Sequence, residues 1–588
     1  MGGQSYDVSA FSIMPYNVST SSFDLTPEME RLKREKESGR KLQERKHSDW
    51  TENYELYRNK VKTNRLTQRQ AVNIPIMKET IKTMASRIDD PPAVDWKELS
   101  SDEQKELIYQ EIWNEQVKKN KLNLIDALDK KNVLMYGLST KKLNISKEGV
   151  LISVLDPYDI LFDPLKTPWD LESARFIIHQ NIFRPAREII ADDKYSQKGR
   201  DELKIWIDSV PGITHGSVNK EEWEKKMKRL ESMGVTSSDF GLFAGGDRII
   251  NLTEHYTNVW SNKTKKFEKR VVVYADDCIE LLDETLDELI GVDFWPFVMW
   301  SEDVELSDGY PDSIADLIRT PNKVLNVWYS QLIENRTLKN FQMHWYSPSD
   351  GYTAQTYTPG PGLMIPAPPS ATGRISDVIQ PVEISGLDDT LLAVEAVTKI
   401  IERGTGATAI DKGQSEQGQQ TLGEIEILVG KANERVTAMA KFYRMAWYEL
   451  AWKWDKLMHA NAPKFMKLYK VGRSGKTYQK RIFINDWKSE AGYEPTVSST
   501  SEQEQESVKG LQKFGYVMAQ FPNNTALRKI SQKRQLEMLD LTPEELKQVE
   551  DAEEEAEKMA VMAPQAPVEA PQPQLMGDIQ KQMQQLQV

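Results

Sequence analysis

Between Trp295 and Met458 the apolar residues recur at helical spacing in three runs. In the first, Ser313 to Lys339, Ile314, Leu317, Ile318, Val324, Leu325, Trp328 and Leu332 fall mostly three and four apart, which predicts one amphipathic helix. The segment from Phe341 to Ser385 then carries seven prolines and four glycines, a composition that excludes a helix interior. A shorter helix is predicted from Asp388 to Arg403, followed by a polar loop, Gly404 to Thr421. The third run is the longest. Ile425, Leu428, Ala432, Val436, Met439, Tyr443, Ala446, Leu450, Trp454 and Leu457 alternate steps of three and four, predicting a helix of about 33 residues. Tyr443, Trp447 and Trp454 are bulky for a coiled-coil seam and favour a core helix.

The remaining pattern is mixed. Thr26-Pro27-Glu28 reads as an N-cap with proline in the first turn, opening a charged helix that ends near Tyr57. Helices are predicted over Asn73–Arg87, Glu103–Tyr136 and Glu221–Met233. Strand character marks Lys142–Leu155 and Ala174–Ile182. Ile249–Trp260 and Phe267–Tyr274 are expected to pair through Ser261-Asn262-Lys263, with Trp295–Trp300 as a short aromatic strand. Phe465–Val471 and Thr477–Ile484 form a second expected hairpin. Ser501–Gln520, Leu527–Leu539 and a segment opened by Thr542-Pro543 read as helices, acidic from Glu550 to Glu557. Residues 1–25 read as a flexible arm and 562–588 as a disordered Pro/Gln-rich tail. The fold class is α+β and helix-rich.

Composition narrows the function. The 588 residues exceed one ordinary core, and fifteen tryptophans with 21 tyrosines exclude general disorder. A net charge of -13 argues against a protein that simply coats DNA. Cys278 is the sole cysteine, so neither an intramolecular disulfide nor a multi-thiolate zinc site is possible. No run approaches 18 apolar residues, no export signal opens the chain, and Tyr6 breaks the myristoylation pattern, so no membrane association is expected.

Candidate chemistry is sparse. Gly472-Arg-Ser-Gly-Lys476-Thr477 resembles a phosphate-binding loop, but Lys470 stands where its first glycine belongs, and strands are expected on both sides. A hairpin turn explains it better. Asp156, Asp159 and Asp163, with Asp170 beyond, could gather as a carboxylate cluster, yet they lack calcium-loop spacing. No two of the histidines at 47, 179, 215, 255, 344 and 459 lie at helical zinc-pair spacing. No catalytic residue, metal or cofactor is expected, and the chain reads as a non-enzyme. The loop 404–421 is long for a helix–helix connection and holds Lys412 among small residues and amides.

The order of these elements resembles the portal proteins of tailed bacteriophages over roughly residues 55–540. The resemblance is carried by Asn64-Arg65 through Asn73-Ile-Pro-Ile76 to Arg87-Ile-Asp-Asp-Pro-Pro92, and by Val154-Leu-Asp-Pro-Tyr-Asp159 through Asp163-Pro164. Trp295-Pro-Phe-Val, Gly309-Tyr-Pro-Asp-Ser313, Pro321-Asn322 and Asn326 through Asn335 follow and resemble the approach to the stem helix. Gln414 to Glu424 resembles the tunnel loop and its exit, and Ile484-Asn-Asp-Trp through Gly492-Tyr-Glu-Pro resembles the strand pair before the crown. The resemblance implies a wing (26–310, with the long helix and hairpin at 422–500), a stem of two helices (311–340 and 386–403), a clip (341–385), a tunnel loop (404–421) and a crown (501–561). It implies a ring, usually a dodecamer, at the portal vertex of the virion capsid, assembled in the host cytoplasm. Double-stranded DNA would pass through it, facing Lys412, Gln414, Gln417 and Gln419. The clip would dock the terminase large subunit and then a head-tail adaptor, with Tyr346, Tyr352, Tyr357 and Arg374 as candidate contacts. Major capsid and scaffolding proteins are further implied partners. The alternatives are a metal-dependent nucleic-acid-processing enzyme using Asp156, Asp159 and Asp163, or another structural head or tail protein.

Overall fold

A computed structural model describes residues 27–60, 72–88, 93–209, 249–340, 344–346, 379–381, 388–406, 422–462, 465–471 and 477–498, short turns within them excepted. The chain divides into two units, Met1–Thr500 and Ser501–Val588, and every described residue lies in the first. The expected arm, the helix at 221–233, the helices after 501 and the tail lie outside the described residues.

The protein mixes helix and sheet. Helix α1 (Pro27–Tyr57) starts at the expected proline, and α2 (Ile76–Arg87) follows. After strand β1 (Ala93–Glu98) come two helices, α3 (Glu103–Lys119) and α4 (Leu122–Tyr136), where the periodicity predicts one. The break is at Asn120-Lys121, with Lys121 left-handed at φ 52, a conformation that costs a non-glycine residue about 1 kcal/mol. Both helices bury onto the same core, so the apolar spacing runs through the break unchanged. The break also frees the Asn120 side chain to bond a strand, where it donates to Val150 O (3.1 Å) and accepts from Ile152 N (3.1 Å).

Those two residues belong to β3 (Gly149–Leu155), which pairs with β2 (Leu138–Ser146). After β4 (Ile160–Phe162) come β5 (Phe176–Pro185), α5 (Ala186–Ala191) and α6 (Gln197–Ser209). Strands β6 (Ile249–Ser261), β7 (Lys266–Ala275) and β8 (Ile279–Thr285) complete an antiparallel sheet in the order β4-β5-β6-β7-β8. The expected β6–β7 hairpin is present, with Trp260 opposite Phe267 and the strands extending to Ser261 opposite Lys266. A short helix, α7 (Leu286–Ile290), leads to β9 (Phe297–Ser301), which joins the smaller sheet as β3-β2-β9.

Helix α8 (Ile314–Asn340), the three-residue strands β10 (His344–Tyr346) and β11 (Ile379–Pro381), α9 (Asp388–Thr405) and α10 (Leu422–Ala460) occupy the central stretch. The predicted polar loop therefore begins later than expected, because Gly404 and Thr405 are the last turn of α9. The expected hairpin is present as β12 (Phe465–Val471) and β13 (Thr477–Phe483). Its sequel differs from expectation: Ile484–Trp487 is a helical turn, α11, and only Tyr493–Ser498 is a strand, β14. Asp486 fixes the turn by accepting from Phe483 N at 2.8 Å. Strand β14 pairs with β1, from the other end of the unit.

The main core gathers around α10. Trp96, Tyr109, Trp113, Trp447, Trp454, Trp487 and Tyr493 are all buried there. Tyr109 and Tyr493 stack at 3.9 Å between ring centroids. Exposed backbone at sheet edges invites pairing with other chains, and side-chain amides cover it here. Gln110 of α3 accepts from Trp96 N (3.1 Å) and donates to Val94 O (2.9 Å), as Asn120 does on β3.

Candidate functional site

Helices α8 and α9 pack against each other, joined by an excursion whose described part is a two-stranded neck, His344 opposite Pro381 and Tyr346 opposite Ile379. This helix pair, rooted in the cores at one end, is the most distinctive element of the chain.

The root of α8 is built from local sequence. Ser313 accepts from Asp316 N (3.2 Å) while Asp316 accepts from Ser313 N (2.9 Å), the reciprocal cap that a Ser-x-x-acid pattern allows. Both side chains also reach the wider fold. Ser313 Oγ donates to Met135 O (3.2 Å), and Asn53 of α1 donates to Asp316 Oδ1 (2.9 Å). Carboxylates of α1 then grip the first turns: Asp49 holds Arg319 at 3.2 Å, beside the helix's own Asp316 at 2.7 Å, and Glu52 holds Lys323 at 2.6 Å. Lys46 reaches Asp312 at 2.5 Å. Gly137, the C-cap of α4 at φ 82, lies against the same turn, and a Cβ there would stand 2.1 Å from Pro311 O.

Glu302 lies behind this root. Part of the residue reaches solvent, but its Oε2 is shielded and has no hydrogen-bond partner among the described residues. Burial pushes its carboxyl up to about 8; the backbone of Ile314 opposes, and Asp303 and Asp316 add to the rise.

The inward face of α8 turns polar after its first turns. Asn322, Asn326 and Ser330 are all buried and spaced by four. Asn326 accepts from Ile74 N (2.8 Å), and Ser330 accepts from Val72 N (3.0 Å). Asn322 finds no partner for either amide atom among the described residues. Pro321 precedes it and removes one rung of the helix ladder. The outward side of the pair carries large apolar residues among polar and charged ones such as Gln331, Glu395 and Lys399. Leu317 is 58% exposed, and Leu391, Leu392 and Ile400 of α9 are 55%, 68% and 57% exposed, with Val327 partly so. The end of α9 is tied down by Arg87 of α2, which donates to Gly406 O at 2.8 Å.

Helix α10 is locked by buried ion pairs. Tyr443 donates to Asp126, which also pairs with Lys130 at 2.9 Å. Burial raises the Asp126 carboxyl to about 6 against the pull of Lys130. Lys453 reaches Glu172 (2.6 Å), Glu449 (2.8 Å) and the carbonyl of Phe297 (2.7 Å). Nearby, consecutive lysines of β2 point to opposite faces, and each finds its own acid. Lys141 pairs with Asp129 of α4, and Lys142 with Glu254 of β6. Burial alone would raise the Glu254 carboxyl; Lys142 and His179 overcome that and hold it at about 2.

The residues singled out from sequence fare unevenly. Lys412, Gln414, Gln417, Gln419, Tyr352, Tyr357 and Arg374 lie outside the described residues. Tyr346 is the last residue of β10. Asp156, Asp159 and Asp163 have separate structural partners. Asp156 accepts from Tyr158 N (3.2 Å), Asp159 from Asn181 (3.0 Å), and Asp163 takes both arms of Arg175, at 2.8 and 3.1 Å. Among the described residues no three His, Cys, Asp or Glu side chains gather to hold a metal ion. Strands flank the Gly472–Lys476 segment on both sides, which is the geometry of a hairpin and not of a phosphate loop. No helix among the described residues is long and apolar enough to cross a membrane. The Asn322-Asn326-Ser330 ladder and the α1 carboxylate grip escape sequence reading, because polar residues at helical spacing look like a solvated face.

No protein-family model matches the chain, and no curated protein matches it.

Proposed function

We propose that the chain is a portal protein: a non-enzymatic ring at a phage capsid vertex through which double-stranded DNA enters and leaves. The observation that carries the reading is the α8–α9 pair. Its two helices are gripped at the root, joined through a two-stranded neck, and lined outwardly by Leu317, Val327, Leu391, Leu392 and Ile400. Burying one such side chain contributes about 1.5–3 kcal/mol, and five exposed ones are costly in a monomer. A head-to-tail arrangement that closes on itself buries one face of each copy against the other face of the next. The Pro/Gly segment between the helices serves as the docking end for terminase and adaptor in this reading, and residues 407–421 as the element facing DNA.

Electron microscopy of the purified protein tests the ring, with native mass spectrometry giving the copy number. A closed ring with an axial channel supports the reading. A monomer or an open filament at every concentration and salt refutes it.

A further inference from the structure

The surface shared by the end of α1, the start of α2 and the outer face of α4 gathers cations without acids to match them. Lys131 of α4 is half-buried, and its ammonium sits over the ring of Tyr57 at 4.7 Å. Its neighbour Lys130 pairs with Asp126 at 2.9 Å, but Lys131 points the other way. Arg58 directly follows α1 and is exposed. Helix α2 packs against both α1 and α4 and exposes Lys78 and Lys82, one turn apart. Partial burial, then the charges of Arg58 and Lys78, push the Lys131 ammonium below its ordinary range. Among the described residues none of these four cations forms an ion pair. From Leu56 to Lys78 the sequence has no Asp or Glu, so the chain between α1 and α2 supplies no counter-charge. Like charges held together in this way cost stability.

The outer face of α4 continues the patch. Leu124, Leu128 and Lys131 stand at i, i+4 and i+7 along it, and the two leucines are 57% and 44% exposed. The three positions span about 10 Å of helix. A phosphate backbone would satisfy the cations and leave the leucines in water, and a wholly apolar partner would do the reverse. A second copy meeting this face with its own would bring like charges together. A helix with apolar and acidic side chains at matching intervals satisfies both. We propose that this face docks an acidic amphipathic helix of another protein, its apolar side chains on Leu124 and Leu128 and its carboxylates on Arg58, Lys78 and Lys131. The proposal does not rest on the ring reading, which uses α8 and α9.

The test uses the full-length protein and a fluorescein-labelled helical peptide of about 21 residues, or roughly six turns, with Leu along one side and Glu flanking it. Anisotropy is compared with that of the same peptide carrying Gln for Glu. The acidic peptide binds, and the Gln peptide binds at least about tenfold more weakly. Lys78→Glu with Lys131→Glu lowers the affinity for the acidic peptide about tenfold and removes most of its salt dependence between about 0.05 and 0.2 M. Leu124→Gln with Leu128→Gln lowers it about tenfold and keeps the salt dependence. If the lysine variant does not fold, Arg58→Glu with Lys78→Glu, both at exposed positions, replaces it. Equal binding of the two peptides, or unchanged affinity in the folded variants, overturns the proposal. Displacement of the peptide by a DNA duplex whose own binding needs the same cations and not the leucines overturns it in favour of nucleic acid. A loss of self-association in the variants without peptide, read by native mass spectrometry, overturns it in favour of a second copy.

Discussion

Gly137→Ala probes the joint on which the α8–α9 pair turns. Two separate penalties apply. Gly137 caps α4 in the left-handed region at φ 82, donating to Val133 O at 2.8 Å, and an L-residue there costs about 1–2 kcal/mol. The added Cβ would also stand 2.1 Å from Pro311 O, 3.0 Å from Pro311 C and 3.3 Å from Asp312 C. All three are backbone atoms, so no rotamer change relieves the overlap, and the turn before α8 must move by about an ångström. That movement pulls on the bonds from Ser313 to Met135 O and from Asn53 to Asp316, each contributing about 1 kcal/mol. Together the loss is about 3–5 kcal/mol. Urea unfolding followed by tryptophan fluorescence reads it, with limited proteolysis near Pro311 as a local report. Gly137→Asn separates the causes: asparagine tolerates the left-handed backbone but still carries a Cβ, so it fails almost as badly. A Gly137→Ala midpoint within about 0.5 kcal/mol of wild type, or full rescue by asparagine, refutes the account of a steric joint.

Four further outcomes follow from the same geometry. Gly404→Ala, in the last turn of α9 with nothing within 4 Å of the new Cβ, leaves stability unchanged or raises it by up to about 1 kcal/mol in the same urea assay. Glu302→Gln changes the pH profile. A carboxyl near 8 when folded and near 4.5 when unfolded holds its proton better in the folded state, so wild-type stability falls as pH rises between those values. The glutamine variant gains on wild type by about 1–3 kcal/mol between pH 4.5 and 8.5, the range allowing for the partly solvated residue. Lys142→Met strands Glu254 without its main cation and costs about 3 kcal/mol at pH 7. Glu254 is held near 2, below its unfolded 4.5, so its stabilising contribution is present above pH 4.5 and is lost as pH falls towards 2; the variant flattens that acid loss. Leu391→Gln with Leu392→Gln leaves the monomer melting point within about 2 °C but lowers the fraction of rings in native mass spectrometry.

Much of the helical frame is legible in the sequence because burial there follows one period. The apolar stripe of α10 marks the face that meets Tyr109 and Trp113, and Ser313 announces the start of α8. The α3–α4 break is not legible, since Asn120 and Lys121 interrupt the backbone without interrupting the apolar spacing. The burial of Lys141 and Lys142 has no local signal, because their acids come from α4 and β6. The Ile484–Trp487 turn sits in apolar, strand-like sequence and is decided by one cap, Asp486 to Phe483 N. For the DNA-facing and docking candidates, composition locates the segments but carries no periodicity from which an arrangement could be read.

The pairing of β1 with β14 has a temporal side. Ala93 and Ser498 are partners across about 400 residues, and a ribosome adding about 5–20 residues per second needs roughly 20–80 s to make the second after the first. Throughout that interval β1 has Gln110 on one edge and lacks its partner strand on the other. The aromatic cluster also lacks Trp487 and Tyr493, so the main core is incomplete until synthesis passes Ser498. A nascent chain therefore cannot close this core before nearly all of its first unit has emerged. Translation itself thus sets the clock on which the aromatic cluster closes.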